Sequence, residues 1–380
     1  MSVEPNQLTS GKEVCAIAVT YHPDAEFPAR YRRILRQVTR LVIVDNGSSD
    51  AETMMLQEFA ANPSVTLMLN FANLGIASAL NSGIYRAIAL GFKWVLLLDQ
   101  DSCIDDDMVQ TLIAVQAAFP DRDRLAVIGS GFRDTDEASR EPTDESRGGG
   151  WEEAESVITS GSLVPLKAHA VVGPFREEFF IDHVDTEYCF RARAKGYRVI
   201  RTRKPIMSHA IGAITRHRVL WLNKWTFNHT ADRRYYIARN DTIMLREYGH
   251  YVLGLWALKS FGRCVRLCKR IALYEQMKIR KIGAVGQGWW ADTWAHVHAG
   301  AQGALSDRRS NSTRTAKRVE YASAIQACRN LGSKYLIASH KEPSPRDLWR
   351  RSWGAMHARR AGTVKGRIGL SPTPLMRLTG

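Results

Sequence analysis

The stretch Trp94-Val95-Leu96-Leu97-Leu98-Asp99-Gln100-Asp101-Ser102 decides how the rest of this chain is interpreted. An apolar run of strand-forming residues ends abruptly in two acids with the spacing Asp-x-Asp. Strands that are buried on both faces of a parallel sheet read as unbroken apolar runs, and ligands bind beyond their carboxyl ends. We therefore expect Asp99 and Asp101 at the mouth of a cleft, where two carboxylates can face a divalent cation carried by phosphates. The alternative is a pair of solvated acids in a loop.

The composition is that of an ordinary globular protein except for its charge. The chain has 380 residues, of which 45% are hydrophobic and 24% charged, and its net charge is +15. Residues 304–380 hold 16 Lys or Arg and 4 Asp or Glu, a difference of +12 that leaves only +3 for the other 303 residues. A basic tail of this kind suits an anionic membrane surface or nucleic acid. The alternative is a solvated, loosely ordered extension.

The cysteines and the apolar runs indicate the compartment. The six cysteines form no Cys-x-x-Cys pair and no cluster with zinc spacing, so we expect reduced thiols in a cytosolic protein. Residues 1–12 lack the apolar core of a signal peptide. No apolar run approaches the roughly 18 to 20 residues of a membrane-spanning helix. We expect a cytoplasmic protein that is soluble or peripheral at the inner face of the cell membrane.

Apolar strand patterns alternate with helical patterns along the first half of the chain. Strands are predicted at 14–21, 41–44, 65–70, 94–99 and 125–129, with helices between most of them, including 30–38 and 105–119. Residues 132–155 read as a surface loop, 156–166 and 197–200 as further strands, and a helix ends near Gly196. This alternation predicts a doubly wound α/β sheet.

Polar residues collect at the predicted strand ends and helix starts. Asp45, Asp99, Asp101, Asp185 and His209 all occupy such positions, which converge on one edge of an α/β sheet. No Gly-x-x-x-x-Gly-Lys-Ser/Thr loop is present, and no Gly-x-Gly-x-x-Gly follows the first strand, which argues against P-loop and dinucleotide enzymes. A site with carboxylates but without phosphate-cradling glycines indicates that a metal ion carries a diphosphate.

Six motifs together resemble the inverting family 2 glycosyltransferases with the GT-A fold, and within them the rhamnosyltransferases. The motifs are Val19-Thr20-Tyr21, Val44-Asp45-Asn46-Gly47-Ser48, Asn73-Leu74-Gly75-Ile76-Ala77 with Asn81-Ser82-Gly83-Ile84, Leu97-Leu98-Asp99-Gln100-Asp101-Ser102, Phe180-Ile181-Asp182-His183-Val184-Asp185-Thr186-Glu187 and His209-Ala210-Ile211-Gly212. The resemblance implies a mixed α/β sheet of the GT-A type with a helical C-terminal extension. It also implies a catalytic domain at 12–230. Beyond it we expect a helical region at 231–303, for which contact with a membrane interface is one interpretation, and a basic, partly disordered tail at 304–380 that lies outside the resemblance.

The resemblance assigns a role to each matching residue. Asp185 is the implied catalytic base, and Asp101 and His209 are the implied ligands of Mg²⁺ or Mn²⁺. The implied nucleotide-binding residues, with Asp45 on the pyrimidine base, are Thr20, Tyr21, Asp45, Asn73, Gly75 and Asp99. Further contacts to donor or acceptor are expected from Asp182, Glu187, Arg233 and Arg239. The alternatives are helix capping for the two acids and a helix that only covers the sheet for the two arginines.

The implied activity is the metal-dependent, inverting transfer of L-rhamnose from dTDP-rhamnose to a lipid-linked polysaccharide acceptor such as O-antigen. Residues 253–273 interleave apolar residues with cations, which is typical of a helix at a membrane interface, although a plain packed helix fits too. Two other functions stay open: the same fold with a UDP-sugar donor, and a non-catalytic module that binds a membrane or nucleic acid. The complete set of site acids with His209 argues against the second, and nucleic acid is not an expected partner.

Overall fold

The computed structural model describes residues 8, 10–134, 150–209, 215–219, 222–226, 228–249 and 256–303. All of them lie in one compact unit that spans residues 1–329. The strands are β1 Val14–Thr20, β2 Arg40–Asp45, β3 Val65–Leu69, β4 Trp94–Asp99, β5 Cys103–Ile104, β6 Leu125–Asp134, β7 Trp151–Glu153, β8 Ser162–Pro165, β9 Arg198–His209, β10 Thr215–Val219 and β11 Leu222–Thr226. The helices are α1 Phe27–Leu35, α2 Asp50–Phe59, α3 Ile76–Ala89, α4 Met108–Ala118, α5 Leu166–Val172, α6 Val184–Ala194, α7 Ala231–Tyr248, α8 Trp256–Tyr274 and α9 Lys278–Gly303.

The described strands form a mixed nine-stranded sheet and a separate β10–β11 hairpin. The sheet order is β3-β2-β1-β4-β8-β6-β9-β5, and β7 pairs with β9. The first four strands of this order are parallel. Strand β8 then runs antiparallel to both β4 and β6. The predicted mixed α/β sheet is therefore confirmed.

Alternation along the strands divides the core into two layers. Val14, Ala16 and Ala18 of β1 face a layer that contains α1 and α4. Cys15 and Ile17 of the same strand face a layer that contains α3 and α6. Because successive side chains of a strand point to opposite faces, a strand between two helical layers must be apolar at every position. This explains why β1 and β4 read as unbroken apolar runs.

The sheet reverses its winding between β1 and β4. The chain proceeds outward from β1 through β2 to β3, and then returns to add β4 on the other side of β1. Such a reversal opens a crevice beyond the carboxyl ends of the two strands. Val19 of β1 is paired in register with Asp99 of β4. The Asp-x-Asp sequence is therefore placed at this crevice by the strand order.

Three predicted elements differ from the structure. The predicted loop at 132–155 contains the end of β6 and all of β7, while residues 135–149 lie outside the described residues. The predicted strand at 156–166 shrinks to β8, because Gly161 adopts φ +77° and a side chain there would meet Met207. Strand β9 extends to His209, because it pairs with β6, β7 and β5 in succession.

Three helices follow the sheet and form the expected C-terminal extension. Helix α7 begins at a cap in which the Thr230 hydroxyl accepts from the backbone N–H of Arg233. Ala238, Ile271 and Val285 form a small apolar core shared by α7, α8 and α9. Among the described residues, no helix is both long and apolar enough to cross a bilayer. The predicted tail at 304–380 lies outside the described residues, and the proposed domain boundaries stay predictions.

Candidate active site

A cleft of about 490 Å³ opens at the crevice between β1 and β4. Eight of the predicted site residues line it: Tyr21, Asn73, Gly75, Asp99, Asp101, Asp182, Asp185 and Arg233. These residues come from separate stretches of the chain, so only the folded sheet brings them together. Three of them, Asp99, Asp101 and Asp185, concentrate negative charge in one place.

Helix α1 and the end of β1 hold the Asp-x-Asp loop by its backbone. The Tyr31 hydroxyl donates to the carbonyl of Asp99 at 2.7 Å, and Arg30 donates to the carbonyl of Gln100 at 3.1 Å. The Gln100 side chain accepts from the Tyr21 N–H at 2.7 Å and donates to the Tyr21 carbonyl at 3.1 Å. Sequence reasoning missed Tyr31, Arg30 and the role of Gln100, since their bonds join residues that are 68 to 79 positions apart.

Two acids of the cleft, Asp99 and Asp185, have a raised pKa. Burial and the negative charges of Asp101 and Asp185 raise the pKa of Asp99 to about 7, while Arg233 lowers it. Burial also raises the pKa of Asp185. A positive charge placed among these carboxylates would relieve their repulsion. The electrostatics therefore favour a cation in this part of the cleft.

Asp185 lies at the second position of α6, where the helix dipole favours a carboxylate. Its Oδ1 accepts from the backbone N–H of Thr186 at 2.7 Å and from the Thr186 hydroxyl at 3.2 Å, and these bonds oppose the effect of burial on its pKa. On its inner side is a small apolar cavity lined by residues such as Leu97 and Phe175. Asp185 is therefore a carboxylate with an apolar back and one side open to the cleft.

The segment before Asp185 has an unusual backbone. Phe180, Asp182 and His183 adopt φ values of +58°, +63° and +60°, in the left-handed region that costs a residue other than glycine free energy. Such a conformation persists only when its surroundings hold it in place. We call residues 179–183 the bent segment.

Helix α7 holds the bent segment with one face. Asn240 is fully buried, and its Nδ2 donates to the carbonyls of Phe179 at 2.8 Å, Ile181 at 2.9 Å and Asp182 at 2.9 Å. Nearer the start of α7, Arg233 binds Asp182 with two parallel bonds of 3.0 Å. The predicted helix with Arg233 therefore does more than cover the sheet, because it fixes the backbone that leads to Asp185.

Aromatic stacking also stabilises the contact between α7 and the bent segment. The Tyr236 ring stacks on the Phe180 ring with 4.8 Å between centroids and 15° between planes. The guanidinium of Arg239 lies 5.2 Å from the centroid of the Tyr236 ring. Offset stacking of this kind contributes about 0.5 to 1.5 kcal/mol beyond burial. Phe180 is thus held between α7 on one side and the cleft on the other.

The start of α3 also contacts the bent segment directly. The Ile76 N–H donates to the Phe180 carbonyl at 2.7 Å. Gly75 has φ +86°, and a Cβ there would lie 2.8 Å from the Phe180 carbonyl oxygen. Asn73 accepts from the Gly75 N–H at 3.0 Å and from the Asn46 side chain at 2.9 Å. The close approach requires glycine at position 75, and Asn46 joins the predicted residues of this wall.

Asp45 and Thr20 are directed into the protein rather than into the cleft. Asp45 is 2% exposed. Its carboxylate accepts from the Thr20 hydroxyl at 2.9 Å, from the N–H groups of Gly47 at 3.2 Å and Ser48 at 3.0 Å, and from the Ser48 hydroxyl. The Thr20 carbonyl accepts from the Asn46 N–H at 2.7 Å. These bonds occupy the carboxylate lone pairs that would accept hydrogen bonds from a pyrimidine base. The predicted contact of Asp45 with the pyrimidine therefore stays a prediction.

Two other predicted contacts are absent from the described lining of the cleft. Glu187 is 1% exposed, accepts two 2.9 Å bonds from Arg191 and accepts from the Tyr248 hydroxyl at 2.7 Å. Arg239 donates to the carbonyl of Glu178. Their positions favour support of α6 and of the bent segment over contact with a donor or acceptor, because their polar groups are already used within the protein.

For His209 the structure describes the backbone but not the side chain. His209 is the last residue of β9, and its neighbour Ser208 is paired in register with Cys103 of β5. The backbone of His209 therefore lies beside the chain that immediately follows Asp101. This placement is compatible with the predicted metal ligand, whose role stays a prediction.

This chain is similar in sequence to a known protein family and to a curated relative. Residues 15–162 match the model of glycosyl transferase family 2. The dTDP-rhamnosyl transferase RfbF of Shigella flexneri is 29% identical over 247 residues, which cover 62% of this chain and 80% of that protein.

Among solved structures, that of S. aureus TarS residues 1–349 is similar to this chain. The matched region covers 73% of this chain and 80% of the TarS chain, with 14% identity and a TM-score of 0.48. The chain spans 40% of a longer TarS structure. The structure of the mannosyltransferase PcManGT of Pyrobaculum calidifontis in complex with GDP-Man and Mn²⁺ is also similar. The matched region covers 87% of each of the two chains, with 14% identity and a TM-score of 0.44.

Proposed function

We propose that the chain is a family 2 glycosyltransferase that transfers L-rhamnose from dTDP-rhamnose to a lipid-linked polysaccharide acceptor, with inversion and with a divalent metal ion. The observation that carries the chemistry is the convergence of Asp99, Asp101 and Asp185 on one cleft at the winding reversal of the sheet. The choice of sugar is supported by the similarity to the Shigella flexneri dTDP-rhamnosyl transferase RfbF.

Asp185 is the proposed general base. It takes the proton of the acceptor hydroxyl while that oxygen attacks the anomeric carbon of the donor. The bond from that carbon to the diphosphate oxygen breaks on the opposite face, and its electron pair leaves with the nucleoside diphosphate. A carboxylate with a raised pKa is a better base than a solvated one, and burial raises the pKa of Asp185.

The residues of the cleft fit a divalent metal ion. Asp99 and Asp101 offer hard oxygen ligands beside a third carboxylate, and their mutual repulsion favours a cation. Within the described part of the chain, no group of three or more metal-ligating side chains is present, so substrate phosphates and water would have to complete the coordination of the proposed ion. When bound, such an ion stabilises the charge on the leaving diphosphate. Asp101 and His209 are its proposed protein ligands.

The wall of the cleft at the start of α3 is the proposed nucleotide site. Asn73, Gly75 and Asn46 form it at the start of α3, and helix N-termini favour anionic groups. Tyr21 stands at the end of β1, tied to Gln100 of the Asp-x-Asp loop. Any movement of that loop on binding of the diphosphate would therefore also move Tyr21. Arg233 adds a positive charge to the wall near Asp182.

The proposed location is the cytoplasm, at the membrane surface where a lipid-linked acceptor is found. This proposal rests on the nature of the acceptor and on the cationic, apolar pattern of residues 253–273. Nucleic acid is not proposed as a partner.

Calorimetry with dTDP, UDP and GDP, with and without Mg²⁺ or Mn²⁺, tests this function. We expect metal-dependent binding that prefers dTDP and disappears in Asp101→Ala. Asp106→Ala is the matched control, since Asp106 is an exposed acid in the same stretch that pairs with Arg36 outside the cleft. A preference for UDP would overturn the sugar and keep the enzyme. Absence of nucleotide binding under every condition would overturn the proposed site and favour the non-catalytic binding module.

A further inference from the structure

Helix α8 packs against the other two C-terminal helices with its inner face, and its outer face is apolar as well. On the inner face, the Ser260 hydroxyl bonds the Thr242 hydroxyl of α7 at 2.6 Å, and Cys264 and Ile271 join the apolar core of the three C-terminal helices. A helix that only covers a neighbour is expected to be polar on its far side. The far side of α8 departs from that expectation.

The outer face of α8 carries a stripe of exposed aliphatic and aromatic side chains. Leu258 is 66% exposed, Phe261 51% and Val265 50%. Their spacing of three and four residues places them on one face of the helix. Contiguous exposed apolar side chains mark an interaction surface more often than isolated ones do.

Cations border this stripe. Lys259, Arg266 and Lys269 are exposed, and no Asp or Glu occurs between Trp256 and Tyr274. Arg263 of the same helix is paired with Asp241 of α7, so it contributes less to the outer charge. The outer face therefore combines apolar area with positive charge alone.

The turn from α8 to α9 extends the same pattern. Leu273 is 57% exposed, Met277 62% and Ile279 91%, and the exposed cations Lys278 and Arg280 flank Ile279. The apolar and cationic residues thus continue past the end of α8.

We propose that the outer face of α8 and the turn at 273–280 bind the surface of an anionic bilayer. Apolar side chains of this length enter the boundary of the acyl chains, and the bordering cations meet the phosphate headgroups. A protein partner would require complementary acids and a shaped groove, and nucleic acid would leave the aliphatic stripe unused, so a lipid surface matches both features. Binding to a bilayer does not depend on the proposed function. Only the purpose of that binding, which is to bring the cleft to a lipid-linked acceptor, rests on it.

The test is sedimentation of the full-length protein with vesicles of phosphatidylcholine, with and without phosphatidylglycerol. One variant combines Leu258→Ser, Phe261→Ser and Val265→Ser, and a second combines Lys259→Gln, Arg266→Gln and Lys269→Gln. The control combines Val171→Ser with Lys167→Gln, an exposed apolar and cationic pair on α5. Each cation near an anionic surface is worth about fivefold in partitioning, so the second variant should lose on the order of 10²-fold.

We expect wild type and control to bind vesicles that contain phosphatidylglycerol, and both α8 variants to bind weakly. The cation variant keeps the apolar packing, so it still tests the proposal if the serine variant fails to fold. Unchanged binding by the cation variant would overturn the proposal and assign the attraction to the remaining cations, including those of 304–380. Absence of wild-type binding would overturn it too. Nucleotide binding, measured in parallel by calorimetry, should be equal in all four proteins and reports separately on the proposed donor site.

Discussion

Replacement of Asn240 by leucine tests whether α7 controls the proposed catalytic base, Asp185, from a distance. Leucine matches asparagine in branching and in number of heavy atoms but donates no hydrogen bond. The carbonyls of Ile181 and Asp182 therefore lose their bond to Asn240, whereas the Phe179 carbonyl keeps the Ile181 N–H at 2.6 Å. The substitution leaves Asp185, the Asp-x-Asp loop and the wall around Asn73 untouched, because Asn240 is fully buried behind the bent segment and does not line the cleft.

The size of the effect follows from two opposing quantities. The amide of Asn240 has two N–H donors that are shared among the three carbonyls, and at about 1 kcal/mol for each donor they contribute about 2 kcal/mol. The three left-handed residues of the bent segment cost at least about 1 kcal/mol each, or about 3 kcal/mol. The Arg233–Asp182 pair is partly exposed and adds less than about 1 kcal/mol. Without Asn240 the observed conformation of the bent segment therefore loses most of its free-energy advantage over other backbone conformations.

The expected consequence is a kcat that falls by up to about 30-fold, since about 2 kcal/mol is lost and each 1.4 kcal/mol corresponds to a factor of about ten. The rate is measured as release of dTDP from dTDP-rhamnose, and dTDP affinity by calorimetry should stay at the wild-type value. Hydrogen exchange of amides 179–186 should accelerate in the same variant.

Thr242→Val is the matched control. Thr242 is also a buried polar residue of α7, but its hydroxyl bonds Ser260 and the Ala238 carbonyl rather than the bent segment. This variant should lose a comparable amount of unfolding free energy per hydrogen bond and keep the wild-type kcat. Equal kcat values for Asn240→Leu and wild type would refute the reasoning, as would an equal loss in both variants.

Three further predictions concern the base, the glycine at the cleft and a buried histidine. Asp185→Asn should lower kcat by about 10² to 10⁴ if Asp185 is the general base, while calorimetry shows unchanged dTDP affinity; a variant with wild-type kcat would exclude that role. Gly75→Ala places a Cβ 2.8 Å from the Phe180 carbonyl oxygen at φ +86° and should lower the melting temperature and dTDP affinity together, whereas Gly91→Ala, which has φ +82° and open space, should affect stability alone. Burial and Arg191 lower the pKa of His169 from 6.5 to about 3, so between these two pH values only the unfolded chain takes up the proton and stability falls as the pH falls. At pH 5 wild type should have lost about 2 kcal/mol more unfolding free energy, relative to pH 8, than His169→Phe; parallel urea-unfolding curves for the two proteins across that range would contradict this.

The sequence by itself determined the sheet, its orientation and the location of the acids. Uninterrupted apolar runs such as 94–98 identify strands covered on both faces, because strand side chains alternate and each face must be buried. The strand ends then follow from where the apolar run stops, and the carboxyl ends of parallel strands share one edge. These are local patterns, so the sequence alone was enough to place Asp99 and Asp101 at that edge, whereas Asp185 follows no strand and reaches the same cleft through helix α6.

The tertiary structure alone decided which polar groups remain available to a substrate. Asp45 looks like a ligand-binding acid in the sequence, yet a turn and a neighbouring strand take up its lone pairs. Asn240 looks like one polar residue on a helix, yet it holds a segment that is 58 to 61 residues away in the chain. Hydrogen bonds of this range have no periodicity along the chain, because they depend on how separate elements pack. For that reason Asp99 and Asp101 can be predicted from a strand end, whereas the protonation of the site and the backbone that positions Asp185 cannot.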